Sequence, residues 1–219
     1  MPAGKYSFYL HTDDRTDVAA MATIASISQP LRGDFIRTAA IAGCVVYRVD
    51  ARLPELVTAL FDGQLGTDQL CGLLAVVSGE YSLIHAQENR TVPVITGPVT
   101  EANVDGERRR FTLLLPDAQS AQRVEPLLDG AVSRLRGQLL RSVIVTGLAL
   151  HTLDARLPRL LASLPVPPAT VHELHAIIAQ VADVPVPVTA PVKVEADPLT
   201  ARPEDDEKTT IRKNMKRMF

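Results

Sequence analysis

The chain has 219 residues, 46% of them hydrophobic, with a formal net charge of −2 and an isoelectric point near 6.2. That is enough apolar material for one or two domains, and it excludes a strongly basic nucleic-acid protein while leaving room for a DNA reader with a small local footprint. Aromatic residues are only 4% and tryptophan is absent, so the core is aliphatic, which favours helices over a sandwich or barrel.

In chain order, Tyr6-Ser7-Phe8-Tyr9-Leu10 is a short β-prone run with Lys5 before it and the turn residues Thr12-Asp13-Asp14 after it. Lys5, Asp13, Asp14 and Arg15 interrupt the N-terminal region, which argues against a secretory signal. Val18, Met21, Ala22 and Ala25 then recur at helical spacing, and Gln29-Pro30 ends that helix. Leu31-Arg32-Gly33 opens a second helix whose inward stripe is Phe35, Ile36, Ala39, Ala40 and Gly43. The run from Thr38 to Tyr47 is the longest apolar stretch, far short of the ~20 residues a membrane span needs. Asp50 reads as an N-cap with Pro54 in the first turn of a third helix, and a fourth helix is expected near Thr67–Val77. Cys44 and Cys71 fall inside these apolar patterns and read as buried free thiols in a reducing cytoplasm.

Residues 89–107 are rich in Pro, Gly, Thr and Val and read as a linker, after which the pattern returns. Phe111-Thr112-Leu113-Leu114-Leu115 stands where the first strand stood, preceded by Arg110 and broken by Pro116-Asp117. Val124, Leu127, Leu128 and Ala131 repeat the first helix, and Leu139, Leu140, Val143, Ile144 and Gly147 repeat the stripe of the second. Shifted by 104 positions, residues 31–60 meet their duplicate with 12 identities in 30 gapless pairs, including Leu-Arg-Gly, Arg37 with Arg141, and the block Asp-Ala-Arg-Leu-Pro. Chance does not give this, and the chain reads as an internal duplication. A glycine at the same place in both second helices, Gly43 and Gly147, implies close helix–helix approach. The expected organisation is unit one at 1–88, the linker, unit two at 108–182, a Pro-rich tether at 183–203 and a tail at 204–219. The expected fold class is mainly α with short β-strands.

Strands this short must pair to be stable. Two of them, one from each unit, can form an antiparallel ribbon covered by helices, a ribbon-helix-helix arrangement whose ribbon fits the major groove of B-DNA. Alternation puts Tyr6, Phe8, Leu10, Phe111, Leu113 and Leu115 toward the core. Lys5, Ser7, Tyr9, Arg110, Thr112 and Leu114 then face outward, and the basic and hydroxyl groups among them are suited to base edges. The Leu-Arg-Gly triplets sit where free backbone amides make an anion site. Arg32, Gly33 and Arg37, with Arg136, Gly137 and Arg141, are therefore candidate phosphate contacts.

The strand and helix followed by Leu-Arg-Gly-Asp-Phe-Ile-Arg-Thr-Ala-Ala-Ile-Ala-Gly (31–43), Asp-Ala-Arg-Leu-Pro-Glu-Leu-Val-Thr-Ala-Leu-Phe (50–61) and Thr-Asp-Gln-Leu (67–70) resemble the ParR/StbB-type plasmid partition (plasmid stability) proteins. The resemblance covers unit one, repeats in the second helix and Asp-Ala-Arg-Leu-Pro block of unit two, and resumes in the tail. It implies a ribbon-helix-helix DNA-binding fold with a helical cap. It also implies binding to centromere-like repeats on double-stranded plasmid DNA, coupling of those repeats to an actin-like ATPase filament, and often repression of its own operon. Lys5, Ser7 and Tyr9 would be ribbon contacts, and Arg32 and Gly33 the phosphate clamp. Family members carry one unit and dimerise, whereas this chain carries two, which leaves open whether the two strands pair within one chain or across two; self-association on DNA is expected.

In the tail, Ile211, Met215, Met218 and Phe219 form one apolar stripe of a short helix, with Arg212 and Lys216 on other faces. Such a helix would fold when laid into a groove, and the resemblance assigns it to the filament. His172 and His175 stand three apart without a neighbouring Cys or Asp, so no metal site is expected. No phosphate loop, nucleophile elbow or paired-Cys motif appears, so neither a cofactor nor enzyme activity is expected. A plasmid segregation adaptor in the cytoplasm is the leading expectation. A ribbon-helix-helix transcriptional repressor or conjugation accessory protein is the alternative, and an interaction protein without DNA binding is a third.

Overall fold

The computed structural model describes residues 4–79 and 106–181. Among these residues the chain is mainly helical, with eight α-helices and one two-stranded antiparallel sheet. The order is β1 (Gly4–His11), α1 (Arg15–Ser26), α2 (Arg32–Val49), α3 (Leu53–Leu60) and α4 (Thr67–Ser78). It repeats as β2 (Arg108–Leu115), α5 (Ala118–Gly130), α6 (Arg136–Leu153), α7 (Leu157–Ser163) and α8 (Val171–Val181). A 3₁₀ turn precedes α2 at Gln29–Leu31 and α6 at Ser133–Leu135. The duplication seen in residue identities is thus mirrored element by element.

The two strands pair with each other within one chain, with Ser7 opposite Thr112, Lys5 opposite Leu114 and Tyr9 opposite Arg110. Phe8, Leu10, Leu113 and Leu115 are fully buried on the inner face, with Tyr6 and Phe111 half-buried beside them, as alternation requires. Phe8 and Phe111 stack across the ribbon with ring centroids 5.5 Å apart, which fixes the register.

Beneath the ribbon the units interlock. The second helices α2 and α6 pack on each other, α2 packs on α7 of the other unit, and α6 packs on α3. Ile36, Ala39, Ala40, Cys44, Val143, Ile144 and Leu148 belong to one continuous core shared by both units. Gly43 and Gly147 lie at the α2–α6 crossing, where a Cβ on either would run into the backbone of the facing helix. Each unit lends its partner the apolar surface that a lone unit of this size lacks.

Local chemistry sets the helix boundaries. The Asp14 carboxylate accepts the Asp17 N–H at 3.1 Å to start α1, and Asp117 accepts the Ser120 N–H at 2.7 Å to start α5. Pro54 and Pro158 stand in the first turns of α3 and α7 as expected. Asp50 and Asp154 are not the N-caps expected of them. They terminate α2 and α6, and each carboxylate accepts the backbone N–H two residues on and the guanidinium of Arg52 or Arg156.

The face of α1 also differs from the expected stripe. Asp17, Ala20 and Ile24 are buried, whereas Val18 is 46% exposed and Ala22 and Ala25 are exposed. The true stripe begins one residue earlier, at a carboxylate with its own buried-side partner, and a hydrophobic pattern does not register such a residue. Cys44 is buried as expected and Cys71 only half-buried. No helix among the described residues is long and apolar enough to cross a membrane. The linker lies outside the described residues except for Gly106 and Glu107, and the tether and tail lie outside them entirely.

Candidate nucleic-acid interface

The outer face of the ribbon is built by the strand pairing. Lys5, Ser7, Tyr9 and His11 of β1 lie opposite Leu114, Thr112, Arg110 and Arg108 of β2. None of these eight side chains is acidic. Arg110 donates to the Ser7 hydroxyl oxygen from Nε at 3.2 Å and from a terminal nitrogen at 2.9 Å, which holds the guanidinium across the ribbon. The Arg108 guanidinium sits 3.6 Å from the centroid of the Tyr9 ring. The expected outward residues therefore come together on one surface, and Arg108 and His11 join them. Continuing the alternation one step beyond each expected strand end would have found both.

The turn after β1 is longer than the turn after β2, and it closes against the approach to the second strand. Thr12 donates its N–H to the Glu107 carbonyl at 3.1 Å, and Glu107 donates its N–H to the Thr12 hydroxyl at 2.7 Å. Arg109, by contrast, lies on the inner-face register opposite Leu10, with its guanidinium 4.0 Å from the Glu107 carboxylate.

The candidate phosphate residues divide by role. Neither α2 nor α6 has a side-chain N-cap; the Arg32 N–H donates to the Gln29 carbonyl of the preceding 3₁₀ turn, and the amides of Gly33 and Gly137 come next in each helix start. Both glycines are exposed, with nothing within 4 Å of an added Cβ. Gly137 lies in a cleft shared with Tyr9, Arg108, Asp13, Asp14 and Arg141, so the α6 N-terminus flanks one end of the ribbon. Arg32 turns back onto the end of α1, donating to the carbonyls of Ile27 at 2.8 Å and Ala25 at 3.0 Å; Arg136 does the same at Ala131, 3.3 Å away. These arginines therefore cap a helix C-terminus at the place where they were expected to meet phosphate.

Arg37 pairs with Asp34 on its own helix. Arg141 reaches the other unit and bridges Asp17 at 2.7 Å and Asp14 at 2.9 Å. The Asp17 carboxylate also accepts the His11 N–H at 2.9 Å. Burial raises the Asp17 carboxyl above its ordinary value, opposed by the His11 N–H and the Arg141 guanidinium. Asp117, the counterpart of Asp14, is held low by the backbone N–H and hydroxyl of Ser120, with Arg37 adding a smaller effect. The two ends of the ribbon thus carry different electrostatics.

His172 is exposed and His175 half-buried, and no group of three His, Cys, Asp or Glu side chains suited to a metal occurs among the described residues. The candidate partner-binding residues Ile211, Arg212, Met215, Lys216, Met218 and Phe219 lie outside the described residues.

The sequence model of a family described as plasmid stability protein matches residues 4–74 and again residues 109–178, one match per repeat and together more than half the chain. No curated protein and no solved structure matches the chain.

Proposed function

The chain belongs to the plasmid stability protein family, and from that premise we propose that it maintains its plasmid by binding double-stranded DNA through the β1–β2 ribbon. The observation that carries this proposal is the outer face itself: Lys5, Arg108 and Arg110 with Ser7, Thr112 and Tyr9, free of carboxylates, on a two-stranded ribbon of a shape the major groove admits. The amides of Gly33 and Gly137 at the starts of α2 and α6 serve as the phosphate contacts, and the missing side chains permit close approach. Arg32 and Arg136, which also donate to carbonyls at the ends of α1 and α5, add positive charge beside those amides. A near-neutral chain is compatible with this role because the contacts are few and local.

In this proposal the chain is a segregation adaptor. Several copies on repeated sites present several tails, and the stripe Ile211, Met215, Met218 and Phe219 captures an actin-like ATPase filament by avidity. The alternative, a repressor or conjugation accessory protein, uses the same ribbon and needs no tail partner. Fluorescence anisotropy on DNA upstream of the chain's own gene tests the core of the proposal. Binding should weaken steeply with salt, and Arg110→Ala should reduce it about tenfold or more. Unchanged binding by Arg110→Ala together with Arg108→Ala would refute ribbon reading. Removing residues 204–219 should leave DNA binding intact and abolish filament capture. Loss of DNA binding in that truncation would refute the division of labour.

A further inference from the structure

We propose that one copy of this chain reads a non-palindromic DNA site and therefore binds with a fixed direction along the DNA. The inference rests on the ribbon reading above and goes beyond it, because it follows from the two strands being joined in one chain and not being alike.

The inner-face residues Tyr6, Phe8 and Leu10 correspond to Phe111, Leu113 and Leu115, which makes Ser7 the counterpart of Thr112. Those two lie directly opposite each other, so the pseudo-two-fold axis of the ribbon passes between them. Around that axis Lys5 corresponds to Arg110, and Tyr9 to Leu114. One end of the outer face therefore holds Tyr9 and Arg110, and the other holds Lys5 and Leu114. A symmetric homodimer would show the same pair twice.

The chemistry of the two ends differs in what it can recognise. Arg110 is braced by the Ser7 hydroxyl, and a fixed guanidinium fork suits the O6 and N7 acceptors of guanine. Leu114 is 48% exposed on a face that is otherwise polar, and a leucine there suits the methyl group of thymine. Lys5 offers a mobile point charge where Arg110 offers a fork. The flanks differ as well. The α6 cleft carries Asp13, Asp14 and the buried Asp17, whereas at the α5 start Asp17 is replaced by Ser120. The bound site is accordingly a duplex with guanine in the half under Arg110 and thymine in the half under Leu114. Copies on repeated sites would all point the same way when the repeats are direct.

Selection of the full-length chain on a pool of random duplexes tests this, with the mass of the complex measured alongside. The expected result is a non-palindromic motif bound by one chain, in which Arg110→Ala reduces the guanine preference about tenfold in one half and leaves the other half unchanged. The triple variant K5R/S7T/Y9L makes the three central outer positions of both strands Arg, Thr, Leu, leaving His11 and Arg108 at one end, and should make the centre of the selected motif palindromic. A palindromic motif bound by two wild-type chains would overturn the inference while leaving DNA reading intact. Retention of the wild-type motif by a folded triple variant would overturn it too, and failure of the wild-type chain to select any sequence would overturn DNA reading and this inference together.

Discussion

Gly43 on α2 faces the carbonyl of Val143 on α6 with no room for a methyl group between them, and Gly147 meets Ala39 in the same way. An alanine in an ordinary helix interior is better than glycine by about 1 kcal/mol. Here the added Cβ would meet backbone, which cannot rotate aside, and overpacking of this kind typically destabilises by about 1–3 kcal/mol. Gly43→Ala should therefore lower the urea midpoint despite its helix propensity. Gly33→Ala, in the open first turn of α2, should hold or raise it. A stabilised Gly43→Ala protein would show that the helices do not cross this closely.

Arg141 and Asp17 join α6 to the start of α1 across the two units, and the Asp17 side chain is fully buried. Removing one partner of such a pair leaves a buried charge, at a loss of up to about 3–5 kcal/mol. Arg141 is partly solvated, so the lower end is expected. In Arg141→Met the Asp17 carboxyl loses its cation and its folded value rises further above the unfolded one. A raised carboxyl favours the folded state below the unfolded value, and that advantage disappears as pH rises through the folded value. The variant should be weakest near neutrality and recover toward wild-type stability near pH 4, as read from urea midpoints at several pH values. A deficit that does not change with pH would contradict the role of Asp17.

Much of this architecture was legible because the repeat preserves it. Gly43 with Gly147 announced the crossing, Pro54 with Pro158 the third helices, and the alternation from Tyr6 to Leu10 the inner face. The parts that were not legible are polar contacts between distant residues. Asp17 looks like a solvent residue until Arg141, 124 positions away, is placed beside it. Arg32 reads as a cation at the start of α2, and its reach back to the end of α1 shows only in the fold. Asp50 fits an N-cap equally well until Arg52 folds onto it. Whether the strands pair within one chain is a question of topology, which periodicity does not address.

The carboxyls of Asp50 and Asp154 are held below their ordinary value of 3.8, chiefly by hydrogen bonds from the Arg52 and Arg156 side chains. A carboxyl lowered in the folded state supports folding fully above its unfolded value and loses that support as pH falls through the depressed folded value. Asp117 acts in the same direction. Acid unfolding followed by circular dichroism should begin below pH 4. In Asp50→Asn with Asp154→Asn the acid limb should be shallower, with a lower plateau at neutral pH. An unchanged limb would remove these turns from the list of acid-sensitive contacts.

Cys44 is 1% exposed, and burial pushes its thiol up to about 12. The thiolate is the reactive form, so the native protein should resist thiol reagents at this position. Cys71 is half-buried and raised less, by burial and by Asp68. Thiol titration at pH 8 should count one slowly reacting group in the native state and two after denaturation. Two rapidly reacting native thiols would contradict the packing of α2.

Pro126 stands inside α5 and has no N–H for the carbonyl of Gln122 one turn back. Arg48 on α2 reaches this turn, with a terminal nitrogen donating to the Arg123 carbonyl at 2.8 Å and, at the longer distance of 3.5 Å, to that of Gln122. A helix of one unit is thereby patched by a cation from the other. Pro126→Ala restores the missing donor and should stabilise the protein, by less than the ~3 kcal/mol an exposed helix would gain, because Arg48 already meets part of the need. Arg48→Ala should destabilise the wild type by about 1 kcal/mol, the worth of an ordinary intramolecular hydrogen bond, because Arg48 is exposed. In the Pro126→Ala background the same change should have a smaller effect. A double-mutant cycle measures that difference directly. Additive effects would show that Arg48 does not compensate for the proline.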